Sequence, residues 1–282
     1  SRSLGESVCV LFCIADEERA AKVSSSMHVG EFGPPIFSPQ IVSQPDYHNN
    51  GVWPYVTSFW GKAAAKVGNE TALMHALACN VRTASIYATN YENYSFNTGN
   101  PYTTQINSPN MLWGLSGFMG LFHRTFFGLE FTKEGLALNP FVPTVLAGTR
   151  KLEAFPYRGM KLDITVSGSG NEIASCLVDG KEAEAFIPAD WTGNHSIEIV
   201  MKGEHKPSSV NMVGYIGMPE VPAVKAEAGK LQWNAISGSA KYWVLKDGQK
   251  VTETTACTYQ TQGEGEYQVI AVSDKGVRSF NS

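Results

Sequence analysis

Positive charge is thin in this sequence. Lys and Arg number 22 against 26 Asp and Glu, the net charge is −4, and no basic run occurs. Nucleic acids and anionic membranes are gripped by clustered cations, so neither is expected as a partner. Cysteine is also scarce. Cys9, Cys13, Cys79, Cys176 and Cys257 contain no Cys-x-x-Cys pair, and their number is odd. That pattern argues against a disulfide framework and a structural zinc site; Cys9 and Cys13 read as small core residues on a helix. The histidines are scattered, so no metal centre is expected. There is no Gly-x-Ser-x-Gly elbow and no phosphate loop, and no cofactor is expected. No apolar run is long enough for a membrane span, and no signal peptide is visible. The chain opens Ser1-Arg2-Ser3-Leu4 without Met and runs straight into a helix pattern, so it reads as a fragment whose own N-terminal part is missing.

What is present is an ordinary globular composition, 43% hydrophobic and 17% charged, over a length that suits two or three domains. Tyr, Phe and Trp make up 11%, many of them set among Asn, Ser and Gly. Most such rings pack cores. Aromatics mixed with neutral polar groups also suit a ligand with C–H faces and hydroxyl rims.

Residues 1–127 read as helices joined by long loops. Asp16 is a candidate N-cap, with Glu17 and Glu18 in the first turn. Residues 28–50 hold four prolines and no period, so they form a long loop. Asn49-Asn50-Gly51 reads as the cap of a helix on which Val52, Val56, Phe59, Trp60, Ala63 and Val67 recur at helical steps. A further helix is expected from about Glu70 to Asn90, then a polar loop over 91–110, then a helix from about Met111 to Phe127. That last helix carries Gly114, Gly117 and Gly120 on one face, at about 1 kcal/mol each relative to Ala, which close packing could offset. Period-two alternation through Met160, Leu162, Ile164 and Val166, and again through Ile197, Ile199 and Met201, predicts an antiparallel β-sandwich over 128–217, with a hairpin at Asp179-Gly180. Its role reads as structural. Beyond the Pro219-Glu220-Val221-Pro222 linker, short strands over 218–282 resemble a fibronectin type III-like module, with Trp233 as core Trp and Tyr267 near the tyrosine-corner position.

Two segments could carry chemistry. The first, Tyr47-His48-Asn49-Asn50-Gly51-Val52-Trp53-Pro54, resembles the loop-to-helix signature of (α/α)6-barrel glycosidases. Glycogen-debranching glucosidases have a similar Tyr-His-x-Gly-x-x-Trp-Pro, and trehalases an Asn-Gly-Trp-Ala-Pro version. The second, Glu92-Asn93-Tyr94-Ser95-Phe96-Asn97-Thr98-Gly99, resembles a Glu-Tyr-Phe-x-Pro-x-Thr-Gly segment of mannosyl-oligosaccharide glucosidases, whose Glu is the general base. Glu92 keeps the spacing to Gly99, while Asn93 and Phe96 depart from the pattern.

The resemblance implies a partial (α/α)6 helical barrel over 1–127, carrying the C-terminal helices of a six-hairpin enzyme. It implies hydrolysis of glycosidic bonds in an oligo- or polysaccharide, with inversion. An inverting site needs two carboxyls roughly 6.5–9.5 Å apart, one to protonate the leaving oxygen and one to activate water. Glu92 is the expected base. Tyr47, His48, Asn49, Trp53, Trp60 and Trp113 are expected to bind the sugar, with Trp60 the residue of this group best suited to plain core. The general acid is expected in the missing upstream part, so the fragment is expected to be inactive alone, with that N-terminal part as its partner. An extracytoplasmic location follows only from the class of substrate. The rival reading is a non-catalytic carbohydrate-binding or structural module, for which Trp191 and Trp243 are the residues to check. A phosphorylase or lyase on the same barrel is a third reading, but a phosphorylase needs a basic cluster for phosphate and none is visible.

Overall fold

The computed structural model describes residues 2–205 and 208–282. Five α-helices lie in the first part of the chain: α1 (Ser3–Leu11), α2 (Glu17–Ser26), α3 (Pro54–Lys66), α4 (Glu70–Tyr87) and α5 (Leu112–Leu121). Their ends have local causes. Asp16 accepts from Arg19 N–H at 2.8 Å ahead of α2, and Asn69 accepts from Ala72 N–H at 2.9 Å ahead of α4, each satisfying an orphan helix donor. Pro54 stands in the first turn of α3, where its missing N–H costs nothing. α4 stops where Ala88 turns left-handed, at φ 54°. α5 runs into one π-helical turn, Phe122–Phe126.

The helices do not form part of an (α/α)6 barrel, and that expectation is corrected. The chain is 25% helical against 36% strand, with several small sheets. A barrel wall leaves one flank of each helix facing a central funnel. α3 instead is a hub, buried at Pro54, Val56, Thr57, Ser58, Trp60, Gly61, Ala63 and Ala64 and packed against α1, α2, α4 and α5. Small residues let those neighbours come close. The helical core gathers Met27, Val29, Trp60, Leu73, Leu121, Phe126 and Phe141; each large side chain buried there contributes roughly 1.5–3 kcal/mol.

The long loops are tied down by two-residue strands. His28–Val29 pairs in parallel with Asn211–Met212, Gln40–Ile41 in parallel with Gly217–Met218, and Gly51–Val52 antiparallel with Tyr94–Ser95. The last pairing also corrects the expected helix cap: Gly51 is strand, and Trp53 is the N-cap.

The second layer holds a five-stranded sheet in the order Lys181–Glu182, Glu172–Val178, Gly193–Lys202, Met160–Gly168, Gly148–Tyr157. It faces a three-stranded sheet of Phe186–Pro188, Gly135–Leu138 and Leu129–Phe131 across a core that includes Leu136, Leu162, Ile164, Ile187 and Ile197. The larger sheet is mixed rather than antiparallel. Gly193–Lys202 inserts beside Met160–Gly168 in parallel, because the chain visits the other sheet through Phe186–Pro188 before it returns. Neighbours Phe141 and Val142 belong to the helical and β cores respectively, and join the two layers. Glu70 accepts from Thr144 N–H at 2.6 Å, and Asn69 donates to the Ser209 carbonyl at 2.9 Å, across the same seam.

Residues 225–273 form two three-stranded sheets around Leu231, Trp233, Tyr242, Val244 and Val269. The Tyr267 hydroxyl donates to the Gln262 carbonyl at 3.0 Å and accepts from Gln262 N–H at 2.9 Å. No helix among the described residues is long and apolar enough to cross a membrane.

Candidate functional site

The two sequence segments singled out above meet in space. The Gly51–Val52 and Tyr94–Ser95 pairing sets them side by side, and Asp46 bonds across the join. Its carboxylate accepts from Ser95 Oγ at 2.7 Å and from Asn50 Nδ2 at 2.8 Å, and its carbonyl accepts from Gln105 N–H at 2.7 Å. Gly51 is obligatory here, because a Cβ would overlap the Tyr47 carbonyl oxygen. That carbonyl accepts from the Trp53 indole N–H at 3.0 Å.

The outcome is a carboxylate beside a group of rings. The Tyr47 hydroxyl donates to Glu92 Oε1 at 3.0 Å. Glu92 is half-buried, and its backbone N–H is held by the Ser108 carbonyl at 2.9 Å. Tyr47 keeps its proton above the ordinary tyrosine range, through loss of hydration first and the Glu92 hydrogen bond second, so it stays a donor. His48 stacks on Trp53 at 5.2 Å and 17°, and Tyr47 leans on both. Trp113, in the first turn of α5, meets Trp53 edge-on at 5.3 Å and lies flat on Tyr55 at 5.1 Å and 5°. Trp113 is 36% exposed and His48 is exposed, whereas Trp53 is buried beneath them.

Two of the expected sugar-binding residues have other work. Asn49 is buried; its amide oxygen accepts from Ile41 N–H, and its two amide hydrogens go to the Ile41 and Gln44 carbonyls. Trp60 is fully buried in the helical core. Tyr55 and Asp46 were not among the expected site residues. A ring two positions after Trp53 on the helix is the signal that could have found Tyr55; Asp46 looks like an ordinary turn former until its long-range partners are known.

The surroundings contain little positive charge. No Lys or Arg occurs over 23–61 or over 83–123. Among the described residues, no group of three His, Cys, Asp or Glu could hold a metal ion. Cys79 lies 3.4 Å from His75 Nε2, but burial pushes its thiol up to about 12, so the pair is no nucleophile–base dyad. Trp191 packs on His195 at 4.9 Å. Trp243 lies under Lys250 and Arg278 and donates to Glu253, whose carboxyl is held at about 2 by hydrogen bonds from Lys241 and Lys250.

No protein-family model matches the chain, and no curated protein matches it.

Proposed function

We propose that the Glu92 face is the sugar-processing face of a glycoside hydrolase acting on oligo- or polysaccharide by inversion. The observation that carries this reading is the 3.0 Å hydrogen bond from Tyr47 to Glu92, which joins two segments 45 residues apart that resemble glycosidase motifs. In this reading Glu92 accepts the proton of the attacking water. Tyr47 holds one carboxylate oxygen and leaves the other for that water. Trp113 and His48 offer the exposed ring surface on which the C–H face of a sugar rests, and Tyr55 and Trp53 fix their orientation from behind. The leaving oxygen needs a second carboxyl. Asp46 does not serve, because Ser95 and Asn50 occupy its oxygens. The reading assigns the acid to a part of the enzyme outside this loop pair.

The test compares wild type with Glu92→Gln on a panel of oligosaccharides, measuring binding and hydrolysis separately. The amide keeps the hydrogen bond from Tyr47 but cannot take a proton. Glu92→Gln should bind as wild type and lose turnover by about 100-fold or more. Hydrolysis retained in the variant removes Glu92 from the mechanism, and a wild type that neither binds nor cleaves any glycan removes the reading.

A further inference from the structure

Loop 91–110 carries a second group of rings that the Glu92 face does not use. Tyr87 ends α4, Tyr91 follows it in the loop, and Tyr102 sits in the 3-10 turn Pro101–Thr103. The three meet in pairs at nearly right angles. Tyr87 and Tyr91 lie 6.0 Å apart at 80°, Tyr87 and Tyr102 5.9 Å apart at 83°, and Tyr91 and Tyr102 5.7 Å apart at 78°. The Tyr91 hydroxyl donates to that of Tyr102 at 3.2 Å. Behind them, buried Tyr94 stacks on Tyr87 at 5.8 Å and accepts from Tyr91 N–H at 3.1 Å. The Asn100 side chain accepts from Tyr102 N–H at 2.8 Å, and Asn107 donates to the Pro101 carbonyl at 2.8 Å, so the turn bearing Tyr102 is held as well. Tyr102 is 71% exposed, and the group opens to solvent on that side.

Perpendicular rings do not make a flat platform for a sugar. At these separations they suit the walls of a box corner, and a point facing all three would lie ~4 Å from each centroid, inside the ~6 Å reach of a cation–π contact. Among the described residues, no Lys or Arg takes that place: those found over rings lie over Phe32, Phe59, Phe131, Tyr157, Trp243 and Tyr267. A bare ammonium keeps its water tightly, whereas a methylated one is weakly hydrated and fills a corner with its methyl groups.

We propose that Tyr87, Tyr91 and Tyr102 form a binding site for a quaternary ammonium group. The site is independent of the glycosidase reading. The test titrates the chain with choline and, in parallel, with 3,3-dimethyl-1-butanol, its uncharged isostere, by calorimetry. Choline should saturate one site and the isostere should bind about tenfold more weakly or worse. Tyr102→Ala should weaken choline by a similar factor at an unchanged melting temperature, which its exposure permits, and Tyr102→Phe should keep the binding. Equal affinity for both ligands reveals a merely apolar patch and overturns the proposal. So does choline binding that survives Tyr102→Ala, or the lack of any saturable choline binding.

Discussion

Asp46 and Ser95, 49 residues apart, share a 2.7 Å hydrogen bond that reinforces the strand pairing holding Glu92 beside Tyr47. Asp46 also receives Asn50 Nδ2, so one carboxylate satisfies donors from both segments. Asp46→Ala leaves the part-buried Ser95 hydroxyl and the Asn50 amide without that acceptor, at a cost of about 1–3 kcal/mol. Asp46→Asn keeps one acceptor oxygen and should cost less. Urea unfolding of the two variants checks the order. An unchanged midpoint in Asp46→Ala would show that the tie holds nothing.

A helix start is legible where its cap is local and unambiguous: Asp16 reads as an N-cap and α2 starts beside it, whereas the amides of Asn49-Asn50-Gly51 suggest a start that α3 makes only at Pro54. The arrangement of the helices is not legible in the same way. α3 buries Trp60, Ala63, Ala64, Gly61 and Ser58 around much of its circumference, which blurs the contrast between faces that would reveal a hub. The strands that join the two candidate segments are two residues long, too short to show alternation. Asn49 looks like a free loop amide, since its partners Ile41 and Gln44 lie in a proline-rich stretch without period. Trp113 could be placed near the site by its position at a helix start, but its flat contact with Tyr55 depends on how close α5 comes to α3.

The β layer should respond to pH through His195 and Asp179. His195 Nδ1 lies 2.7 Å from Asp179 Oδ2, and Nε2 lies 3.1 Å from the Thr192 carbonyl, so both ring nitrogens face acceptors. Only the imidazolium donates both bonds. The Asp179 hydrogen bond raises the His195 pKa above 6.5, and the His195 hydrogen bond lowers that of Asp179 below 3.8. The histidine contribution is complete below its unfolded value and is lost as pH rises through the folded one. The aspartate contribution is complete above its unfolded value and is lost as pH falls through the folded one. Both are present between about 3.8 and 6.5, and stability should decline on either side. The effect is small, because Asp179 is nearly half exposed. Asp179→Asn keeps the left-handed turn, which Asn tolerates, and should flatten the alkaline limb of a plot of melting temperature against pH.

Thiol reactivity should divide by burial. Cys13 is exposed, whereas Cys79 is buried with its thiol pushed up to about 12, and burial raises Cys176 as well. The thiolate is the reacting form. Alkylation of the native protein followed by peptide mass spectrometry should find Cys13 modified well before Cys79 and Cys176, with all five modified after unfolding. Early labelling of Cys79 would mean that the α4 packing opens readily.

The glycines of α5 should differ sharply when replaced by Ala. A Cβ at Gly117 would lie 3.3 Å from Tyr55 Cα, a backbone atom of α3 that cannot step aside without moving the helix. A Cβ at Gly120 would meet only Lys62 Nζ, at 3.4 Å, the free end of a flexible side chain. Gly117→Ala therefore pushes the helices apart, at about 1–3 kcal/mol, and disturbs the 5.1 Å stack of Trp113 on Tyr55. Gly120→Ala gains up to about 1 kcal/mol of helix propensity with little to offset it. Denaturant midpoints should move in opposite directions, and the tryptophan fluorescence should change only in Gly117→Ala. If both variants are equally stable, α5 does not need the close approach that sets Trp113 against Tyr55, and the exposed ring beside Glu92 is held by something other than helix packing.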